Sequence, residues 1–196
     1  MRIELIRHGA TLLQQENRYQ GVTDVPLSPE GREELLPVSV QPERVFVSPL
    51  LRAKQTAGIL FPDSELIVVP DFAEMDFGVF EGRNAKEMEQ DAAYRAWVDG
   101  MCLGTCPGGE SRAGFCARVC AAFDALVTRL EQEGETSLVI VAHGGTQMAV
   151  MERFATEKRP YFDWKLGVGQ GYLLAAENWR KEHTLCVLDR VSHVRG

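Results

Sequence analysis

Apolar residues in this chain come in short runs, separated by longer segments in which they recur at helical spacing. Ile3 and Leu5 open the pattern, alternating with polar or charged neighbours in a strand that runs into Arg7-His8-Gly9. Arg44-Val45-Phe46-Val47 and Glu65-Leu66-Ile67-Val68-Val69 are short strands stopped by Ser48-Pro49 and Pro70. Ser137 to Ala142 is a nearly continuous apolar run, the pattern of a strand covered on both faces. Gly171 to Ala176 and Thr184 to Leu188 read as an antiparallel pair.

Helices fill the intervals. Ser28 is a candidate N-cap with Pro29 at the first helical position, and Pro37 closes that segment. Leu50 to Phe61 and Asn84 to Asp99 read as helices, the second anchored by Trp97. From Glu110 or Ser111 to Glu133 the stripe Phe115, Val119, Ala122, Phe123, Leu126 and Leu130 predicts a long amphipathic helix that Gly134 terminates. A further helix is expected from Thr146 to about Thr156. The segment from Ala10 to Val25 reads as polar and irregular, and Phe72 to Gly78 and Gly100 to Gly109 as loops. Strand and helix alternate throughout, which predicts a three-layer α/β sandwich with a mostly parallel central sheet. No repeat or linker divides the chain, so one domain over residues 1–196 is expected.

Composition narrows the function classes. No apolar stretch is long enough to span a membrane, and the N-terminal residues lack a signal-peptide pattern, so a cytoplasmic protein is expected. A net charge of -7 argues against a broad nucleic-acid surface but leaves room for a local cluster of arginines that binds a small anion. The cysteines number five, an odd count better suited to reduced thiols than to a disulfide framework. Cys102, Cys106, Cys116 and Cys120 leave two readings: a tetrahedral zinc site, or small apolar residues on a helix and in a loop. Their spacing is wider than the usual zinc pairing, which favours the second.

The strands share a habit. The first ends in Arg7 and His8, the second leads into Arg52, the third leads to Glu74, and the fourth ends in His143. Ligands of open α/β sheets bind beyond the carboxyl ends of the strands, so these residues converge on one crevice. Taken alone, Arg52 reads as an exposed helix residue and Glu74 as a solvated loop residue. Together they make chemical sense. Arginine forks match phosphate oxygens and stay charged. A neutral imidazole can attack phosphorus, and a second, protonated, can add to the clamp. A carboxylic acid can protonate a leaving oxygen and then activate water. Side chains supply the cations, so neither metal nor cofactor is expected.

Leu5-Ile6-Arg7-His8-Gly9, Ser48-Pro49-Leu50-Leu51-Arg52-Ala53-Lys54-Gln55-Thr56-Ala57, Glu74 to Gly82, and Ala142-His143-Gly144-Gly145 resemble the signature blocks of the histidine phosphatase superfamily, in family order. Pro107-Gly108-Gly109-Glu110-Ser111 is similar to a fifth block. Within the superfamily the likeness is to the phosphoglycerate mutase-like branch, which includes the alpha-ribazole phosphatases. The resemblance implies a phosphoglycerate mutase-like fold and a phosphomonoesterase that acts on a small phosphorylated metabolite. It implies that His8 becomes phosphorylated, that Arg7, Arg52 and His143 hold the phosphoryl group, that Glu74 donates the proton and that the Gly144 backbone adds to the phosphate pocket. The loop containing Gln20 and Gly21 would line the substrate side, and Glu81 reads as structural. Two positions depart from the pattern: Ala10 follows the glycine where many members carry glutamate, and Gln14 stands where an asparagine usually reaches the phosphate.

A cofactor-dependent mutase needs a cation-rich segment between the acid and the second histidine. Here residues 81–111 offer only Arg83, Lys86 and Arg95 against a larger acidic set, which favours hydrolysis. A phosphate-binding module without catalysis would not need both a nucleophile and an acid.

Overall fold

The computed structural model describes residues 1–177 and 179–195. Its centre is a six-stranded mixed sheet in the order β3-β2-β4-β1-β5-β6, where β1 is Arg2–Arg7, β2 Arg44–Val47, β3 Glu65–Val68, β4 Ser137–Ala142, β5 Gln170–Ala175 and β6 Cys186–Ser192. Strands β3, β2, β4 and β1 run parallel as neighbours, and β5 and β6 add an antiparallel edge.

Helices cover both faces because the buried strand residues alternate between them. Ile6, Val45, Val47 and Val141 point to one face, where Ala53, Ala57 and Leu60 of α3 (Leu51–Leu60) pack with Leu27 and Leu35 on either side of the short α2 (Pro29–Glu33). Ile3, Leu5, Leu138 and Ile140 point to the other, against Phe115, Val119 and Phe123. The last three belong to α5 (Arg112–Gln132), which packs against α6 (Gly144–Phe154). This is the expected three-layer sandwich.

Helix boundaries follow local chemistry. The Ser28 hydroxyl accepts from Gly31 N–H with Pro29 at the first position, and Ser111 caps α5 through Gly114 N–H. Gly134 ends α5 at φ +83°, a left-handed conformation that costs glycine nothing.

Four expectations need correction. A one-turn helix α1, Leu12–Gln15, sits inside the segment read as irregular, capped by the Thr11 side chain. The helix expected from Asn84 shortens to α4, Ala92–Asp99, because the Asp91 carboxylate caps the N–H groups of Ala93 and Tyr94. Helix α6 begins at Gly144, two residues earlier than expected. The last strand starts at Cys186 and continues to Ser192; it is an exposed edge strand, so apolar alternation does not mark its extent. The short α7, Trp179–Glu182, lies between β5 and β6. Among the described residues no helix is long and apolar enough to cross a membrane.

Candidate active site

Strand register brings the key residues together. Arg7 pairs with Ala142 and Val47 with Val141, so the residues that follow, His8, His143 and Ser48, emerge side by side at one sheet edge. The rings of His8 and His143 meet edge to face with centroids 5.1 Å apart.

His8 is buried, and its Nδ1 lies 2.7 Å from the carbonyl oxygen of Gly9. A carbonyl only accepts, so Nδ1 carries the proton and Nε2 presents a lone pair. Arg52 Nε–H approaches that Nε2 at 3.3 Å. Burial, then the charges of Arg52 and Arg7, hold the imidazole well below its ordinary pKa, and it stays neutral.

Arg52 is completely buried, contrary to its isolated reading as an exposed helix residue. Its Nη2 donates to Gly21 O at 2.7 Å and its Nη1 to Thr23 O at 3.0 Å. Burial lowers its pKa to about 10, with Glu74, Asp24 and Glu81 opposing the fall. The loop that supplies these carbonyls is held from below by Glu81, whose carboxylate accepts from the N–H groups of Gly21, Val22, Thr23 and Phe77 and from the Thr23 hydroxyl. Arg7 donates through Nη1 to Leu166 O at 2.7 Å, and its Nε is buried without a partner.

Glu74 is buried, not solvated. Its Oε2 accepts from Gly145 N–H at 2.9 Å and its Oε1 from Met75 N–H at 3.0 Å. Burial pushes its pKa up, against the pull of those two N–H groups and of Arg52 and Arg7. Its loop is pinned by Arg118, which donates to the carbonyls of Asp71, Ala73 and Glu74 while both carboxylate oxygens of Glu110 brace the guanidinium.

His143 precedes α6, with Nε2 2.6 Å from Ser48 Oγ and Nδ1 buried and unpartnered. The protonated imidazole expected from the sequence is not what these surroundings favour. Burial, then Arg52, His8 and Arg7, hold His143 neutral, and a bound anion would oppose those charges.

A cavity of about 430 Å³ is lined by Arg7, His8, Glu74 and Gly144, together with Gln14 and Gln20. Gln20 Oε1 accepts from the Thr11 hydroxyl at 2.6 Å, which leaves Nε2 buried and unpartnered. Gln14 Oε1 is buried and unpartnered as well. Gly144 borders the Arg7 guanidinium, which lies 3.3 Å from where a Cβ would stand. Gly21 departs from expectation: it does not line this cavity, and its N–H and carbonyl are committed to Glu81 and Arg52. A Cβ there would lie 1.8 Å from Met75 O, so the position serves loop packing.

Residues 3–185 match the histidine phosphatase superfamily, branch 1. The chain belongs to this superfamily. The adenosylcobalamin/alpha-ribazole phosphatase of Escherichia coli K12 is 30% identical over 199 residues, covering 96% of each chain. The probable phosphoglycerate mutase GpmB of Salmonella typhi is 33% identical over 74% of this chain and 70% of its own. Of solved structures, a putative alpha-ribazole-5'-P phosphatase from Escherichia coli has a TM-score of 0.82 at 24% identity, covering 100% of this chain and 98% of its own, a likeness of fold. The phosphoglycerate mutase of Thermus thermophilus has a TM-score of 0.71 at 28% identity, covering 98% of this chain and 99% of its own. The fold is phosphoglycerate mutase-like, and the protein is a phosphatase of the kind that passes the phosphoryl group through a phosphohistidine.

Several residues of this histidine phosphatase's cavity escaped the sequence reading. Phe77, Met148 and Lys165 line it, and Lys165 comes from a segment without strand or helix periodicity. The cysteines read as a possible zinc set do not converge. Among the described residues no group of three or more His, Cys, Asp or Glu side chains is placed to hold a metal. Cys106 is buried in the core, while Cys116 and Cys120 pack one turn apart on α5.

Proposed function

We propose that this protein hydrolyses the phosphate monoester of a small metabolite alcohol, with alpha-ribazole 5'-phosphate as the first candidate, through phosphorylation of His8 Nε2. The supporting observation is the pairing, in one cavity, of an imidazole whose Nε2 is unprotonated and a buried carboxyl whose pKa is raised. In the first step Nε2 attacks phosphorus in line with the ester oxygen. Arg7, Arg52 and His143, with the N-terminal end of α6, hold the three equatorial oxygens as charge spreads over them. The Glu74 carboxyl gives its proton to the departing alkoxide. Water then attacks the phosphohistidine, Glu74 takes the proton, and His8 returns to its neutral form as inorganic phosphate leaves. Lining the cavity, Gln14 and Gln20 are assigned to the substrate side.

The sheet and helices bear this chemistry as one unit, which fits a single domain, and the cytoplasm suits a metabolite substrate of this kind. Incubating the purified protein with alpha-ribazole 5'-phosphate, p-nitrophenyl phosphate and primed 3-phosphoglycerate tests the reading. Release of inorganic phosphate from the first two is expected. Fast isomerisation of 3-phosphoglycerate with little phosphate release would make the protein a mutase.

A further inference from the structure

Ser48 has no step in the mechanism above, yet it is completely buried at the carboxyl edge of the sheet. Its backbone N–H donates to Val141 O at 3.1 Å, as the N–H of His8 donates to Ala142 O at 3.0 Å. The two residues thus flank the end of β4, from which His143 emerges. The Ser48 hydroxyl oxygen lies 2.6 Å from His143 Nε2. It also lies 3.3 Å from the backbone nitrogen of Leu50, at the head of the helix that carries Arg52.

These neighbours locate the hydroxyl hydrogen. Oγ accepts from the Leu50 N–H, and among the described residues its one other hydrogen-bond partner is His143 Nε2. Were Nε2 protonated, the hydroxyl hydrogen would be left without an acceptor in a buried position, and a buried unpaired donor is costly. The hydroxyl therefore donates and Nε2 accepts. A neutral imidazole carries one N–H, which then sits on Nδ1. Burial, then the Arg52 charge, opposes a second proton on the ring. Nδ1 is buried without a partner in the protein, on a ring whose centroid is 5.1 Å from that of His8. A phosphoryl group carried by His8 arrives beside it.

We propose that Ser48 is a positioning residue for the phosphoryl clamp: its hydroxyl donates to His143 Nε2, holds the ring in the Nδ1–H tautomer and makes that N–H a neutral donor to a phosphoryl oxygen. The inference rests on the assignment of His143 to the phosphoryl group above and specifies the form in which His143 serves. The other tautomer turns a lone pair toward an oxyanion, and the two repel. An N–H donated to a charged oxygen is among the stronger hydrogen bonds, and it needs no cation on the ring.

Long-range proton–nitrogen correlation spectra of the full chain, with its four histidines isotope-labelled, read the tautomer directly. The His143 signals are those that vanish in His143→Ala. Wild type is expected to show a bare Nε2 and a protonated Nδ1; a proton on Nε2, alone or together with Nδ1, overturns the inference. Calorimetric titration with orthovanadate then reads the clamp. Ser48→Ala is expected to weaken binding about 10- to 100-fold, the worth of one hydrogen bond to a charged group. In a His143→Ala background the same substitution should weaken binding less than about twofold, because Ser48 acts through His143. Equal losses in the two backgrounds would give Ser48 a purely structural role and overturn the inference, as would undiminished binding by folded Ser48→Ala. Circular dichroism reports folding. Where Ser48→Ala does not fold, Ser48→Cys keeps a weaker donor in its place, and an intermediate loss is expected. Wild type that binds no vanadate removes His143 from the phosphoryl group and the inference with it. Neither measurement needs turnover, so a chain that binds vanadate as expected but hydrolyses no ester fails the phosphatase reading alone.

Discussion

Arg52 and His8 meet nitrogen to nitrogen, the guanidinium Nε–H directed at the imidazole Nε2 across 3.3 Å. The contact requires Nε2 to be unprotonated, and the Gly9 carbonyl on the other side of the ring requires a proton on Nδ1. Together they select one tautomer of a neutral histidine, with the Nε2 lone pair beside the guanidinium. The cation assigned above to the phosphoryl group thus also sets the protonation state of the proposed nucleophile.

His8→Ala removes this nucleophile without adding charge. Turnover of any ester is expected to fall by roughly 10³-fold or more, as when an activated nucleophile is lost. Wild-type protein denatured in alkali during turnover should carry one acid-labile phosphate by intact mass. If the His8→Ala protein still carries it, the phosphorylated residue is a different one.

Glu74→Gln keeps the shape of the side chain and its contact with the Gly145 N–H but cannot supply a proton. For alkyl phosphates such as ribose 5-phosphate, kcat is expected to drop about 10²- to 10⁴-fold, the usual scale of general acid catalysis. For p-nitrophenyl phosphate, whose leaving group departs as a stable anion, formation of the phosphohistidine should be far less affected. A pre-steady-state burst separates the steps, and equal losses on both esters would assign Glu74 a different role.

Much of this arrangement was legible in the sequence, for identifiable reasons. The runs ending at Arg7, Val47 and Ala142 are dense in buried apolar residues, and parallel strands share a carboxyl edge, so convergence followed from the pattern. Burial of Arg52 was not legible from its own surroundings, because its acceptors are the carbonyls of Gly21 and Thr23, roughly 30 residues upstream. The role of Gly21 was hidden for the same reason: its partners, Glu81 and Arg52, are distant in sequence. Lys165, Tyr161 and Phe162 lie where no periodicity marks the chain, and only the tertiary fold brings them beside Glu74.

The pH profile follows from two opposed shifts. The His8 pKa is lowered, and attack needs the neutral ring, so kcat/KM should rise with pH through a value below the ordinary 6.5. The Glu74 pKa is raised, and proton donation needs the acid form, so kcat/KM should fall with pH through a value above the ordinary 4.5. The profile on an alkyl ester is therefore expected to have an acid limb set by His8 and an alkaline limb set by Glu74. Substrate phosphate also titrates near pH 6, so the diagnostic is a difference: Glu74→Gln should lose the alkaline limb and keep the acid one. An alkaline limb that survives in that variant would mean Glu74 is not the titrating acid.

Glu81 acts through the loop that carries Arg52's acceptors. Glu81→Gln replaces one acceptor oxygen by an NH2 facing backbone donors and leaves N–H groups of Gly21, Val22, Thr23 or Phe77 unsatisfied. The expected loss is about 1–3 kcal/mol, which lowers the melting temperature by roughly 3–10 °C in a chain of this size. A melting temperature unchanged within about 1 °C would mean the loop does not depend on this carboxylate.

Gln20 and Gln14 give opposite predictions at the position where the chain departs from its relatives. The Gln20 amide oxygen is held by the Thr11 hydroxyl, so its Nε2 donor is committed to the cavity in a defined orientation. Gln20→Glu can still accept from Thr11 but brings a like charge to the anion, so inhibition by inorganic phosphate or vanadate should weaken about tenfold or more. Gln14 has no such anchor on its side chain, and its amide oxygen, an acceptor, is the buried atom. An acceptor adds little to a bound oxyanion, so Gln14→Asn should change the same inhibition constants by less than about threefold. Reversal of that order, with Gln14→Asn the more damaging, would place the phosphate-contacting amide at Gln14 and remove Gln20 from the substrate side.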